Sequence, residues 1–126
     1  MENSDGIKNI INDPKSLVKL SSAEAARVEE LYPTLPDDYL RFMREIGHGN
    51  LGNIIIYAAP MDPGKIYPNV RTDALQGLIL FGDDMQGYCY GFDLRDAGRV
   101  VEIDPRGMID RTIEPGFMDF LKSFLV

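Results

Sequence analysis

The chain contains few residues of several types, and each shortage argues against a class of structure or function. Its 126 residues include one cysteine, Cys89, one histidine, His48, and no tryptophan. A single cysteine forms no intrachain disulfide and no all-cysteine metal cage, so we expect a reducing compartment. Basic residues are also scarce, with 13 Lys and Arg against 20 Asp and Glu, for a formal net charge of −7. This charge repels phosphate backbones and anionic lipid headgroups, which argues against direct nucleic-acid or membrane binding and leaves basic proteins as natural partners.

Long apolar runs, internal repeats and low-complexity tracts are missing as well. Uninterrupted apolar stretches such as 54–60 and 78–81 fall far short of the roughly 20 residues that cross a bilayer. The first ten residues, MENSDGIKNI, lack the basic and apolar regions of a signal peptide, so we expect a cytoplasmic protein. A hydrophobic content of 44% is enough for one core in a chain of this length. We therefore treat residues 1–126 as a single domain.

Two helices are predicted in the first half of the chain. Ser21 and Glu24 have capping-box spacing, and Pro33 ends the helix that they begin. The segment 35–38, Leu-Pro-Asp-Asp, opens a second helix with two acids in its first turn. Gly47 ends that helix because glycine adopts the left-handed conformation without strain.

The middle of the chain has a β pattern and the end has a helical one. We predict a short helix and lead-in over residues 1–20, an irregular loop over 60–68, and a terminal amphipathic helix that starts near 114–115. Branched and aromatic residues between short turns predict strands at 53–57, 78–81, 88–92 and 99–103. Short turns join antiparallel neighbours, so the chain is predicted to be an α+β domain with a mostly antiparallel sheet.

One glycine motif matches a nucleotide-binding fingerprint in its letters. Residues 47–52 read Gly-His-Gly-Asn-Leu-Gly, which fits G-x-G-x-x-G. A dinucleotide fingerprint follows a strand and opens a helix, whereas this motif follows a predicted helix and opens a predicted strand. The context favours a helix cap and a turn.

Cys89 and His48 are the residues that a thiolate–imidazole pair would use. Each is the sole residue of its type, so no spacing supports the pairing. Cys89 lies between Tyr88 and Tyr90 in a predicted strand, where cysteine is typical as a small buried hydrophobic residue.

Acidic residues near the strand ends raise the alternative of a metal site or a two-carboxylate hydrolase. They are Asp83, Asp84, Asp93, Asp96, Glu102 and Asp104. Their spacing does not fit a calcium loop, and aspartates in glycine-flanked turns usually accept hydrogen bonds from their own backbone. We predict no catalytic, metal or cofactor-binding residue.

The order of features resembles one known family. It comprises a capped helix, Leu-Pro-Asp-Asp-Tyr at 35–39 with Phe42, a glycine-rich turn, Phe-Gly-Asp at 81–83 leading to Gly87 and Tyr90, Val100-Val101 with Asp104, and a terminal helix with Phe117, Phe120 and Leu121. Over roughly residues 21–125 this order is similar to the SUKH superfamily of Smi/Knr-like proteins. The chain departs from the family in lacking tryptophan and in reading Gly-His-Gly-Asn at 47–50, where an Asn-Gly-Gly-like turn is usual.

The resemblance implies a fold and a function. The implied fold is an α+β domain with a curved, mostly antiparallel sheet flanked by N-terminal and C-terminal helices. Bacterial members are largely immunity proteins of polymorphic toxin systems, so the implied function is a non-enzymatic antitoxin that binds and neutralises a cognate toxin, often a nuclease. A regulatory protein–protein interaction module without a toxin partner is the alternative, and a small hydrolase is a third hypothesis.

Candidate partner contacts follow from expected exposure and chemistry around the turns and the irregular loop. They are Asp62, Tyr67, Asp83, Asp84, Tyr88 and Glu102. Aromatic side chains would anchor the interface, and the acids would face basic residues of the partner. The sequence leaves open whether the protein dimerises.

Overall fold

The computed structural model describes residues 17–67, 75–112 and 116–125. Within them, helices and strands follow one another in the order helix, helix, two strands, short helix, four strands, helix. The elements are α1 Ser22–Leu31, α2 Asp37–Glu45, β1 Gly49–Asn50, β2 Ile55–Met61, α3 Pro63–Ile66, β3 Leu78–Asp83, β4 Cys89–Asp93, β5 Arg99–Ile103, β6 Ile109–Thr112 and α4 Phe117–Leu125. The predicted α+β class is confirmed.

The first helix begins as the capping-box spacing predicts. The Glu24 amide donates to Ser21 Oγ at 3.1 Å, and the Ser21 amide donates to Glu24 Oε1 at 2.9 Å. The hydrogen bond from the Ser21 backbone lowers the pKa of Glu24. α1 ends at Leu31, two residues before Pro33.

The second helix carries one side of the core and is closed by a glycine. α2 buries Tyr39, Leu40, Phe42 and Met43. Gly47 follows it with a φ of +116°, and a Cβ there would lie 2.6 Å from the backbone of Val18. The predicted glycine stop is confirmed, and its reason includes this close approach as well as the left-handed backbone.

Six strands form one antiparallel sheet in chain order, β1 to β6. The three later strands lie where the sequence predicts them, at 78–83, 89–93 and 99–103. The first predicted strand is shifted to Ile55–Met61, and the two-residue β1 and the four-residue β6 were not predicted. Both unpredicted strands are too short to display an alternating pattern.

The prediction of an irregular loop over 60–68 is wrong for the residues described. β2 continues through Pro60 to Met61, with an irregular register between Ile56 and Met61 that tolerates the missing proline N–H. The short helix α3 follows, and the Asp62 carboxylate caps it by accepting from the Gly64 amide at 2.8 Å. Most of the predicted N-terminal helix and lead-in over 1–20, namely residues 1–16, and the predicted terminal-helix start at 114–115 lie outside the described residues.

The main core lies between the sheet and helices α1, α2 and α4. At its centre the Phe117 ring lies 5.2 Å from each of the rings of Tyr39, Phe42 and Phe81, measured between centroids. The Met118 amide donates to Asp38 Oδ2 at 3.1 Å, which ties the start of α4 to α2. The terminal helix is thus an integral part of the core.

A second, smaller cluster covers the opposite face of the sheet. Its buried members are Tyr67, Leu75, Leu78, Leu80, Cys89, Val101 and Ile103. The short helix α3 leads directly into Tyr67, whose side chain packs in this cluster. The segment therefore covers part of the sheet face that α1, α2 and α4 do not cover. Both faces of the central strands are therefore buried, which accounts for the continuous apolar run at 78–81.

No helix in the described part of the chain is long and apolar enough to span a membrane.

Candidate functional site

The structure brings three of the six candidate residues together and separates the others. Asp83, Asp84 and Tyr88 lie at one end of the sheet, in and beside the β3–β4 turn. Asp62 is exposed at the other end of β2 and β3, where it caps α3. Tyr67 and Glu102 are buried.

The expected exposure of Tyr67 and Glu102 is therefore wrong. Tyr67 is 7% exposed, because it belongs to the cluster that covers the outer face of the sheet. Glu102 is 8% exposed in β5, where strand alternation places it on the same face as Val100 of the main core. Glu102 was expected to be exposed because it is charged, and Tyr67 because it was placed in a loop. The local sequence does not show which distant segments pack over these two residues.

The β3–β4 turn is fixed by two consecutive aspartates. Asp83 Oδ1 accepts from the Met85 amide at 2.8 Å. Asp84 Oδ1 accepts from the amides of Gln86 and Tyr88 at 2.8 and 3.1 Å. These bonds satisfy backbone amides within the turn and stabilise its conformation, from which the exposed side chains project.

Tyr57 anchors the same turn from the neighbouring strand. Its hydroxyl donates to Asp83 Oδ2 at 2.7 Å and lies 3.9 Å from Cys89 Sγ. Burial, with the hydrogen bond to Asp83 as the next cause, raises the pKa of Tyr57. Burial also raises the pKa of the Cys89 thiol, which disfavours the nucleophilic thiolate.

Cys89 and His48 do not meet. His48 pairs with Val18 through two backbone hydrogen bonds next to β1, whereas Cys89 lies in β4. Strands β2 and β3 lie between β1 and β4, so the thiolate–imidazole alternative has no geometric support.

The β5–β6 turn lies beside the β3–β4 turn. A Cβ added to Gly87 would lie 3.0 Å from Pro105 Cγ, which shows how closely the turns approach. Asp104 shapes the β5–β6 turn by accepting from the amides of Arg106 and Met108, and Arg106 Nη2 donates to Asp104 Oδ2 at 2.7 Å. The hydrogen bond from the Arg106 side chain is the main cause that lowers the pKa of Asp104.

Exposed apolar side chains collect at this end of the sheet. Of six large hydrophobic residues exposed in the described part of the chain, four belong to the two turns and their flanks: Met85 (49%), Tyr88 (36%), Met108 (55%) and Ile109 (40%). We call the surface formed by Asp83, Asp84, Met85, Tyr88, Met108 and Ile109 the sheet-end surface. Three of these residues, Met85, Met108 and Ile109, were not among the sequence candidates. The sequence signal that could have identified two of them is a methionine within each polar, glycine-containing turn. Residues in such turns usually remain exposed, so these methionines could have been predicted to lie on the surface.

The charges of the sheet-end surface are only partly balanced. Asp104 pairs with Arg106, but Asp83 and Asp84 form no ion pair with any residue that the structure describes. At the opposite end of the sheet, Asp93 and Asp96 pair with Arg95 and Arg99. The sheet-end surface thus combines exposed apolar side chains with two unbalanced carboxylates.

The acidic residues do not form a metal centre in the part of the chain that is described. No group of three or more His, Cys, Asp or Glu side chains there is arranged to hold a metal ion. The carboxylates of Asp83, Asp84 and Asp104 instead accept hydrogen bonds from backbone amides of their own turns.

Two comparisons with known proteins bear on this arrangement. The family model SUKH_6, described as SMI1-KNR4 cell-wall, matches residues 24–121 of the chain. The match runs from the first turn of α1 into α4, and it includes the whole sheet. No curated protein matches the chain.

Proposed function

The chain belongs to the SUKH superfamily, in the family described as SMI1-KNR4 cell-wall, and from this premise we propose that it is an immunity protein. In this role it binds a cognate bacterial toxin domain and neutralises it by occlusion, without catalysis. The cytoplasm of the producing cell is the proposed place of action.

The sheet-end surface is the observation that carries the proposal. Exposed methionine and tyrosine side chains supply contact area in the way that protein interfaces use them. They project from turns whose backbone is held by aspartate hydrogen bonds, so little backbone freedom is lost when a partner binds. Such a preorganised surface suits an inhibitor whose task is to cover another protein.

Charge indicates the kind of toxin. The chain carries a net charge of −7, which includes Asp83 and Asp84, and these two carboxylates form no ion pair with a described residue beside the apolar side chains. A toxin that cleaves DNA or RNA needs a basic cleft, and an acidic binder is steered toward such a cleft at an increased association rate. A nuclease domain is therefore the proposed partner class.

The proposed absence of catalysis rests on how the reactive groups are used. The turn carboxylates accept backbone hydrogen bonds, and the single thiol is buried with a raised pKa. These groups act as structural acceptors and core atoms rather than as an acid–base pair facing a cavity.

A second candidate function has its own support. The description of the matched family, SMI1-KNR4 cell-wall, refers to the cell wall. This favours a regulatory interaction module of Smi/Knr type without a toxin partner. Both candidates use a protein-binding surface, so the identity and the toxicity of the partner distinguish them.

The test is affinity capture from the native host followed by a toxicity assay. The tagged protein is expected to retain one stoichiometric partner with a basic toxin domain at both low and high salt, and co-expression is expected to restore growth of cells that make this toxin. Met108→Glu should abolish capture and rescue, since it places a charge on the sheet-end surface. Leu31→Glu is the matched control, because Leu31 is also exposed but lies on α1. A retained partner that is not toxic would favour the regulatory candidate, and equal capture by both variants would remove the sheet-end surface from the interface.

A further inference from the structure

The two turns of the sheet-end surface are held in different ways. In the β5–β6 turn, the Asp104 carboxylate accepts hydrogen bonds from two residues of the same turn. In the β3–β4 turn, the Asp83 carboxylate accepts one hydrogen bond from its own turn, at Met85, and another from Tyr57, which lies 26 residues earlier in the chain. This second bond ties the β3–β4 turn to strand β2.

Each oxygen of the Asp83 carboxylate serves one side of this connection. Oδ1 accepts from the Met85 amide at 2.8 Å, and Oδ2 accepts from the Tyr57 hydroxyl at 2.7 Å. A carboxylate is planar and its two oxygens move together, so the hydroxyl and the amide are linked through a single side chain. Loss of the hydroxyl would leave the carboxylate free to rotate away from the Met85 amide.

Packing on the outer face of the sheet places the tyrosine end of this connection. The Tyr57 ring is partly buried against the smaller cluster, and its hydroxyl lies 3.9 Å from Cys89 Sγ. Burial raises the pKa of this hydroxyl, so it remains a proton donor at neutral pH. Tyr57 therefore supports the base of the β3–β4 turn without being part of the sheet-end surface.

Met85 is the turn residue that depends most on this support. Its φ of +64° lies in the left-handed region, which is disfavoured for residues that have a Cβ, whereas the β5–β6 turn has a glycine, Gly107, at its left-handed position. Ala97, in the turn at the opposite end of the sheet, also has a positive φ, but its side chain is a single methyl group. At Met85 the same backbone conformation carries a long side chain that is 49% exposed. Asp83 thus holds an exposed apolar side chain in a backbone conformation that methionine populates little by itself.

We propose that Tyr57 is a positioning residue for partner binding, which acts through Asp83 to hold the β3–β4 turn in the conformation that presents Met85 and Tyr88 to the partner. This inference deepens the proposed function and rests on it, since the partner is the protein that the sheet-end surface covers. The benefit is preorganisation, because a turn already held in its binding conformation loses less freedom on association. The role requires the hydrogen-bonding positions of Asp83 and not its charge.

Asp83→Asn separates position from charge. The asparagine oxygen can accept from the Met85 amide, and the asparagine NH2 group can donate to the Tyr57 hydroxyl oxygen, so both connections are retained without the negative charge. Tyr57→Phe removes the connection to β2 and leaves the charge in place. The two variants therefore give opposite results for a positioning role and for simple attraction between the Asp83 carboxylate and the partner.

The first measurement is amide hydrogen exchange in the free protein, followed by NMR. We expect Tyr57→Phe to accelerate exchange of the Met85 amide about fivefold, since one supporting hydrogen bond is lost. The amides of Arg106 and Met108, in the neighbouring turn, should exchange as in wild type, and Asp83→Asn should resemble wild type in both turns. Equal acceleration in both turns, or none at Met85, would overturn the positioning role.

The second measurement is the rate at which each variant releases the partner protein captured from the native host. Tyr57→Phe should release it about fivefold faster, whereas Asp83→Asn should release it at the wild-type rate and associate more slowly, because only a steering charge is lost. Ser21→Ala is the matched control, since it also removes one hydrogen bond from the fold but lies at the start of α1, outside the sheet-end surface. Faster release by Ser21→Ala as well would reduce the effect to general destabilisation and overturn the proposal.

The captured partner also distinguishes failure of this inference from failure of the proposed function. If the partner is toxic and Tyr57→Phe releases it at the wild-type rate, the positioning role is wrong and the immunity function stands. If Tyr57→Phe releases it faster, Asp83→Asn and Ser21→Ala do not, and the partner is not toxic, the positioning role is supported and the immunity function is wrong.

Discussion

The buried hydroxyl of Tyr39 offers a direct test of the core. Tyr39 is fully buried among the rings of Phe81, Phe92 and Phe117. Its hydroxyl has no hydrogen-bond partner in the described part of the chain, and burial raises its pKa. We expect Tyr39→Phe to increase the free energy of unfolding, because it removes a desolvated polar group and retains the ring.

The size of this effect follows from two opposing contributions. A buried hydroxyl without a partner costs about 1–3 kcal/mol. Removing one oxygen leaves a space on the order of 10 Å³, which at about 24 cal/mol per Å³ returns only ~0.2 kcal/mol. The expected gain is therefore about 1–3 kcal/mol. In a domain of this size each kcal/mol corresponds to about 3–5 °C in Tm.

Tyr57→Phe is the matched control, because the same atom is removed from a hydroxyl that has a partner. Loss of the 2.7 Å bond to Asp83 should lower the free energy of unfolding by about 1.5 kcal/mol. Urea unfolding followed by circular dichroism measures both variants. If Tyr39→Phe is destabilised as much as Tyr57→Phe, the Tyr39 hydroxyl has a partner and the reasoning is refuted.

Three further predictions concern the hydrophobic core, a helix cap and the decline of stability at low pH. Phe117→Ala should lower the free energy of unfolding by about 3–5 kcal/mol, since Phe117 is fully buried at the centre of the ring cluster; a loss below about 1 kcal/mol in urea unfolding would show that α4 does not close the core. Ser21→Ala should cost about 1 kcal/mol by removing the acceptor of the Glu24 amide, and Ser21→Asp, which restores an acceptor, should recover most of it. Because Arg106 lowers the pKa of folded Asp104 below the unfolded value near 3.8, this carboxylate stabilises the fold fully above that pH, and its contribution is lost as the pH falls through the folded pKa. Asp104→Asn should therefore flatten the decline of the urea midpoint between about pH 5 and 2, and an unchanged decline would contradict this assignment.

Local signals in the sequence predicted the helices well. The Ser21–Glu24 box begins α1, and Gly47 follows α2, because the few residues that decide a helix end are close together in the chain. The central strands were also predicted, since both of their faces are buried and their apolar runs are continuous. β2 continues through Pro60 because its register with β3 is irregular there. This register depends on the partner strand and is not visible in the local sequence of β2.

The candidate site was predicted in part, and the misses have a physical reason. Asp83, Asp84 and Tyr88 lie near a short turn between two recognisable strands, so their neighbourhood was readable from the sequence. Met108 and Ile109 join them only because β5 and β6 pair, and β6 has just four residues. The burial of Tyr67 and Glu102 likewise depends on distant segments that pack over them.

The antiparallel order of the strands separates the residues that build the hydrophobic core from the turn residues that are exposed to a partner. The three hairpin turns at the sheet end connect strands whose register is held by side chains on the two buried faces. Turn residues such as Met85 and Met108 contribute little to those faces. Exchange of the turn sequences can therefore change which partner is recognised while the hydrophobic core is kept, as loop variation does on other rigid scaffolds. In this fold, new binding specificities can arise without a new core.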